Sequence, residues 1–508
     1  MRILSLAVNG HDCSATIIEN GKVVFYLPAE RITRRKHDDE FAELPRVFRD
    51  NGMLEYTDII VNYFRHIVKS KKIGLADTLG GPCVVDIEEF LRRMGFKWKN
   101  LILDYEHHLH HAYCGFFNSP FDKALCIILD GGGAEKIDNG RFLEVESIYA
   151  ADRKSITEVS KKYHNVVHIK HSSSLYHEKG GPIAIGHKFG KLAEFMGFTY
   201  FDGGKVMGLA QYKGYESEVG ERWRPYIDKC YNVQKETEDE VIEIIRKYSQ
   251  ETGMNNIVLS GGYALNCVAN YKFKKLFPHL NFYIDPICAD VGISLGQSYY
   301  YYKKMYGRNI IPLKNVYIGT QSRYNLSTLM HKKTSYNEVA QLLSDGKVVA
   351  LFQGRAEAGY RALGNRSLLM DPRISDGRDK LNKIKGREDF RPFAGTVLQE
   401  YANEWFDIEE SEYMQYAAKV KKEGIPAMIH VDNTCRVQTV TKKQNKHFYN
   451  LIRSFYKLTD TPLLLNTSLN CAGETIAENF DQCISTSHRM KIPYIFLPEK
   501  MELVQLGK

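Results

Sequence analysis

Leu125-Cys126-Ile127-Ile128-Leu129-Asp130-Gly131-Gly132-Gly133 passes straight from an apolar run into an acid and three glycines. A strand buried on both faces reads as a continuous apolar run, not an alternating one. Ala124 to Leu129 is therefore predicted to be a buried strand. Asp130 then stands where a sheet's carboxyl edge meets its loops, the usual ligand position in open α/β sheets. Glycine at such a turn lets backbone N–H groups approach a phosphate closely. Asn256 to Leu259, followed by Ser260-Gly261-Gly262, repeats the arrangement.

Further strands read outward from this pair. Ile3 to Val8, Ala15 to Ile18 and Lys22 to Tyr26 are apolar runs, the last two joined by Asn20-Gly21. Asn-Gly between strand-like runs is a strong hairpin signal. Gly292 to Tyr306 is compatible with a helix and follows Asp290. A polar, basic segment from Lys303 to Arg323 carries Gly307 and Pro312, and a domain boundary is expected near residue 325. Beyond it, Val339 to Leu343 reads as helix and Val348 to Phe352 as strand.

The 508 residues are 44% hydrophobic and 26% charged, the balance of a globular protein of two or three domains. No apolar stretch approaches the ~18 residues of a membrane helix. The run after Met1 is too short for a signal-peptide core. A cytoplasmic bacterial protein with no membrane partner is expected, a phage gene being one source. None of the ten cysteines forms a Cys-x-x-Cys pair, so reduced core thiols are expected and a cysteine zinc site is not. The net charge of +8 suits anionic substrates and nucleic acid alike.

His107 and His111 are four apart in Glu106-His-His-Leu-His-His-Ala-Tyr. On a helix they share a face, and both imidazoles can reach one ion. Asp130 offers a carboxylate at the end of a strand and Asp290 a second one before a helix. Two histidines with one or two aspartates suit a transition metal with open positions, such as iron or manganese. The alternative is a polar histidine cluster without a metal. His108 and His110 face elsewhere on the same helix. His164, His168, His171, His177 and His187 are irregularly spaced and read as solvated or substrate-adjacent.

The remaining motifs occur in a fixed order. His11-Asp12-Cys13-Ser14-Ala15, Glu30 to His37, His107 to Ala112, Lys205 to Ala210 and Gly261 to Asn266 come first. Gly359 to Ser367, Lys385 to Phe393, His430 to Gln438 and Leu465 to Asn470 follow. From about residue 3 to 500 the chain resembles the O-carbamoyltransferases that tailor nodulation factors and antibiotics. It departs from their pattern at Tyr360 and at Gly395, where proline is usual.

The resemblance implies an α/β protein of two domains. Residues 1–325 would form an actin-like ATPase fold of duplicated mixed sheets, similar to tRNA threonylcarbamoyl-transfer proteins, binding metal and adenylate. Residues 326–508 would form an α+β YrdC-like domain making carbamoyl-adenylate from carbamoyl phosphate and ATP. Fe(II) or Mn, with Mg accompanying ATP, are the implied metals. A hydroxyl acceptor would then attack the intermediate. Gly131, Gly132, Gly261 and Gly262 would line the adenylate, with Asn266 hydrogen-bonding the nucleotide. His11 and Lys36 match the residues around the carbamoyl group, and Asp202 is the candidate general base or a turn-former. Carbamoyl phosphate and ATP crowd negative charge into one cleft, which arginine neutralises and orients. Arg361, Arg366, Lys385, Arg391 and Arg436 are the candidates, with Asn466 and Ser468 at a strand end or in turns.

The expected acceptor is a hydroxymethylated pyrimidine, such as 5-hydroxymethylcytosine in phage DNA, with a sugar or antibiotic hydroxyl as the alternative. Basic and aromatic residues interleave in Tyr63 to Lys72, Phe90 to Lys99 and Lys161 to Lys191. Phosphate neutralisation with aromatic stacking is how nucleic acid is held. Lys69, Lys71, Lys72, Arg92, Arg93, Lys97 and Lys99 would make those contacts, unless they form solvated helix faces. A threonylcarbamoyl-transfer enzyme acting on tRNA is the nearer rival, and a non-enzymatic actin-like protein the more distant one.

Overall fold

A computed structural model describes residues 1–8, 11–38, 41–62, 72–76, 82–137, 141–165 and 184–507. The chain divides into two compact units. The first comprises Met1–Phe201, Thr237–Leu265 and Leu276–Lys314, and the second Asp202–Glu236, Asn266–Lys275 and Asn315–Lys508.

The two larger sheets of the first unit share one topology, beside the two-stranded pair Lys72–Ala76 and Pro82–Asp86. In the first, the spatial order is Lys22–Pro28, Ser14–Glu19, Arg2–Ala7, Asp58–Asn62, Asn100–Asp104. The second runs Ile156–Asn165, Arg141–Asp152, Lys123–Leu129, Asn256–Ser260, Asn281–Ile284. Each begins with three antiparallel strands and continues with two strands added in parallel. A sheet order of 3-2-1-4-5 met twice is the duplicated mixed sheet of the actin-like class, as expected. The Asn20-Gly21 turn is a two-residue hairpin with φ of 50° and 84°. Positive φ at both central positions is what a type I′ turn demands.

Burial explains the strand signals. Ala124 to Leu129 and Ile257 to Ser260 are buried throughout, as the unbroken apolar runs predicted. Helix Ile293–Tyr306 packs against helix His108–Asn118 at very short range. A Cβ on Gly296 would lie 1.9 Å from the carbonyl oxygen of His110. No side chain fits there, so the crossing depends on this glycine.

Among its described residues, the second unit is built on a nine-stranded mixed sheet. At its centre lie Val349–Phe352, Arg366–Met370, Leu463–Ser468 and Ala394–Leu398. Helices Tyr336–Ser344 and Lys446–Thr459 cover one core through Val339, Leu343, Leu451, Ile452 and Phe455. Gly395 sits in this sheet, where a Cβ would meet Met428 Cε at 1.9 Å. Among the described residues, no helix is long and apolar enough to cross a membrane. Cys13, Cys114, Cys126, Cys230, Cys267, Cys288, Cys435, Cys471 and Cys483 are free thiols.

Candidate active site

Lys123–Leu129 and Asn256–Ser260 are adjacent parallel strands, so both glycine turns emerge at the same sheet edge. Gly261 has φ of 88°, and a Cβ there would come within 2.3 Å of the Leu129 carbonyl oxygen. Only glycine tolerates that backbone and that approach. The Gly262 N–H donates to Asp130 Oδ1 at 3.1 Å. Gly131, Gly132, Gly261 and Gly262 are thus brought together around Asp130.

Four ligand-type side chains converge on the same place. Atoms of His107, His111, Asp130 and Asp290 all lie within 4.8 Å of one another, and all four residues are buried. His107 Nε2 is 3.1 Å from Asp130 Oδ2 and 3.4 Å from Asp290 Oδ1. His111 Nε2 lies 3.5 and 3.4 Å from the same two oxygens. The two Nε2 atoms are 3.2 Å apart. Bonds of ~2.1 Å to one ion place neighbouring donors roughly 3–3.5 Å apart in tetrahedral or octahedral arrangements. The donor set therefore fits a transition metal such as iron or manganese. Burial pulls His107 down, but Asp290 and Asp130 outweigh it and leave it well above its usual value. Burial pushes Asp130 up, and His107 and His111 more than reverse this.

His107 stands just before the first turn of the helix that carries His111. His108 instead meets Ser147 through Nδ1 at 2.8 Å, and His110 pairs with Asp104. Both turn away from the cluster, as helical spacing predicts. His11 borders it: its Nε2 is 3.5 Å from Asp290 Oδ2 and its Nδ1 2.9 Å from Asp12. Lys36 is exposed, on the turn after helix Glu30–Thr33.

In the second unit, Arg361 and Arg391 add their charge to that of the buried pair Arg387 and Arg436. Burial and then the neighbouring Arg391 and Arg436 hold the Arg387 guanidinium well below its ordinary value. Burial and then Arg361 bring Arg436 down to about 9. Glu388 lies 3.5 Å from Arg391 but also 2.8 Å from Lys205. The Nε atoms of Arg387 and Arg436 are buried without a partner. Positive charge gathered this way can receive an anion. Arg387 was not singled out from the sequence, though it lies between Lys385 and Arg391. In sequence it stands among charges, with Lys385, Glu388 and Asp389 close by, and so reads like any solvated basic residue.

Other predicted residues have internal partners. Arg366 is a correction: its guanidinium donates to the main-chain carbonyls of Glu478, Gln353, Asn365 and Gly354 and lies 3.9 Å over Phe352. Fully buried in this way, it braces the sheet rather than presenting itself to a phosphate. The Lys385 ammonium meets the carbonyls of Ser468 and Asn470. Ser468 Oγ accepts from Arg387 Nη2 at 3.4 Å, which ties it to the arginine cluster. Asn466 is buried and donates to Ala362, Thr396 and Gln438. Asn266 exchanges hydrogen bonds with Gln234 and caps the next helix by accepting from the Ala269 N–H. Asp202 lies 3.4 Å from Lys205.

The sequence matches the family models for the carbamoyltransferase N-terminus, over residues 55–236 and 216–298, and the carbamoyltransferase C-terminus, over 340–502. The chain belongs to the carbamoyltransferase family. This carbamoyltransferase is 27% identical to nodulation protein NolNO of Sinorhizobium fredii, over 94% of its own length and 76% of that protein. It is 35% identical to the 3'-hydroxymethylcephem-O-carbamoyltransferase of Amycolatopsis lactamdurans, over 43% of each chain. Among solved structures, HypF from T. kodakarensis aligns with 60% of the carbamoyltransferase and 48% of its own chain, at 13% identity and a TM-score of 0.38.

The expected nucleic-acid contacts are mostly paired or undescribed. Arg92 pairs with Glu88, Arg93 with Glu89 and Lys97 with Glu55. Lys69 and Lys71 lie outside the described residues, as do His168, His171 and His177, and only the backbone of Lys72 is described, in strand Lys72–Ala76.

Proposed function

We propose that this enzyme is an ATP-dependent O-carbamoyltransferase. Carbamoyl phosphate and ATP form carbamoyl-adenylate, and the carbamoyl group then passes to an acceptor hydroxyl. The observation that carries the reading is the arginine cluster. Arg361 and Arg391 lie close enough to the buried Arg387 and Arg436 to lower both, whose Nε atoms have no partner, and an anionic ligand relieves that repulsion. Arg361, Arg387, Arg391 and Arg436 would bind and orient the phosphates, with Ser468 steadying Arg387. Residues 326–508 are read as the adenylate-forming domain and 1–325 as the transfer domain.

In the transfer domain, His107, His111, Asp130 and Asp290 would hold iron(II) or manganese. Bound there, the metal supplies a Lewis acid beside the adenylate phosphate. The glycine turns bring backbone N–H groups to the same edge, where they orient that phosphate. His11 and Lys36 would hold the carbamoyl oxygen as negative charge develops on it.

A hydroxyl acceptor is supported by the relative whose name gives a hydroxymethylcephem substrate. The pairing of Arg92, Arg93 and Lys97 with acids favours a small hydroxylated molecule over hydroxymethylpyrimidine DNA. Affinity for DNA containing 5-hydroxymethylcytosine, measured at several salt concentrations, separates the two. A steep salt slope that a Lys97→Ala/Lys99→Ala variant flattens would return DNA to first place.

The test of the donor is pyrophosphate release from ATP. Release is expected with carbamoyl phosphate. Release only with bicarbonate and threonine would instead make this a threonylcarbamoyl-transfer enzyme. Radiolabelled carbamoyl transfer to 5-hydroxymethylcytidine, an aminoglycoside and a chito-oligosaccharide then identifies the acceptor class.

A further inference from the structure

Asp12 holds two imidazoles on one carboxylate. His11 Nδ1 and His37 Nδ1 each lie 2.9 Å from Asp12 Oδ2. Asp12 is buried, and both it and His37 have left-handed backbone, with φ of 54° and 53°. Such backbone is uncommon outside glycine and persists only where surrounding contacts fix it. The Glu30 carboxylate accepts the main-chain N–H of His37 at 3.2 Å.

The two imidazoles differ in what lies beside them. His11 turns Nε2 toward Asp290 and so belongs with the four-residue cluster. His37 stacks on Phe201, with centroids 4.7 Å apart and planes at 24°. Phe201 remains 40% exposed although His11 also packs on it, and the His37 side chain is 22% exposed. An exposed aromatic ring beside a half-buried imidazole is an approach open to solvent, next to the cluster.

From this geometry we infer that His37, held by Asp12, is the general base that takes the proton from the acceptor hydroxyl. The inference rests on the carbamoyl-transfer reading above. As the acceptor oxygen bonds the carbamoyl carbon, its proton passes to His37 Nε2. The bond from that carbon to the adenylate phosphate oxygen breaks, and its electron pair leaves with AMP. Asp12 accepts from Nδ1–H throughout, fixes the tautomer and stabilises the imidazolium, which returns its proton to solvent. Burial lowers the basicity of His37, but Asp12 and then Glu30 outweigh it and leave it above its ordinary value. Asp202, 3.4 Å from Lys205, is the alternative.

The test uses the full chain loaded with iron and supplied with carbamoyl-adenylate. The acceptor is whichever of 5-hydroxymethylcytidine, the aminoglycoside and the chito-oligosaccharide takes most label. His37→Gln keeps a polar side chain but has no basic nitrogen. It is expected to lower kcat by roughly 10²–10⁴-fold, with KM little changed and iron content intact. His37→Ala should lose as much and recover with added imidazole. Hydroxylamine attacks without prior deprotonation, and both variants should carbamoylate it at near the unaltered rate. Asp12→Asn, which accepts well from only one of the two rings, should fall between. Full activity of His37→Gln overturns the assignment. So does a loss that neither imidazole nor hydroxylamine relieves. If the unaltered chain labels no acceptor and no hydroxylamine, the carbamoyl-transfer reading itself fails and takes this inference with it.

Discussion

Asp130 accepts the N–H of Gly262 through Oδ1 at 3.1 Å, which leaves Oδ2 facing His107 at the same distance. One carboxylate thereby joins the two glycine turns to the histidine pair. The ligand-type cluster is fixed by the pairing of adjacent parallel strands, and its geometry depends on the sheet as much as on the side chains.

Removing one member of the cluster should separate the two half-reactions. His111→Ala is expected to abolish iron binding and carbamoyl transfer while leaving ATP-dependent pyrophosphate release largely intact. Metal analysis and a pyrophosphate assay on the same preparation check this. Loss of both activities in a folded variant would show that the labour is not divided between the domains as proposed.

The arginine cluster predicts the opposite separation. Arg387→Ala should lower carbamoyl-phosphate-dependent pyrophosphate release about 10–150-fold, from the ~1.5–3 kcal/mol of a hydrogen bond to a charged group. Added carbamoyl-adenylate should restore transfer. Because the substitution relieves repulsion from Arg391 and Arg436, thermal stability should hold or rise. A fall in Tm alongside the lost activity would mark Arg387 as a brace, like Arg366.

Stability should depend on pH through His430. Burial holds this imidazole at about 4, below its ordinary value of 6.5. An unfolded chain takes up the proton first as the pH falls, so stability is full above 6.5 and declines between 6.5 and about 4. The loss is of order 3 kcal/mol at most. Denaturant unfolding across that range should show the slope, and a folded His430→Gln variant should lack this part of it. An unchanged slope in the variant would assign it to other groups.

A fourth expectation concerns helix packing. Gly296→Ala would drive a methyl group into the His110 carbonyl. Overpacking of this kind costs about 1–3 kcal/mol. Since His110 and His111 share a helix, iron affinity should fall with Tm. Wild-type affinity in a destabilised variant would show that the cluster tolerates the displacement.

Much of the first unit was legible because its signals are local. Asn20-Gly21, the two glycine turns and the i, i+4 histidines each act within a few residues, and the structure brings the chosen ligand types together. The second unit was less legible. Arg366 and Arg391 both sit among apolar neighbours in the sequence, yet one is bound to carbonyls from several distant segments. Residue type announces a donor, but only the fold decides whether the chain's own backbone takes it. His37 was overlooked for a related reason: what distinguishes it is Asp12, a neighbour in space and 25 positions away.

Gly395 carries a consequence for any exchange of parts between relatives. The space a side chain would occupy there is filled by Met428, itself buried. A proline at 395 therefore asks Met428 to yield at the same time. The two positions form a linked pair, and a segment transplanted with one but not the other should fold poorly even where its arginines are all in place.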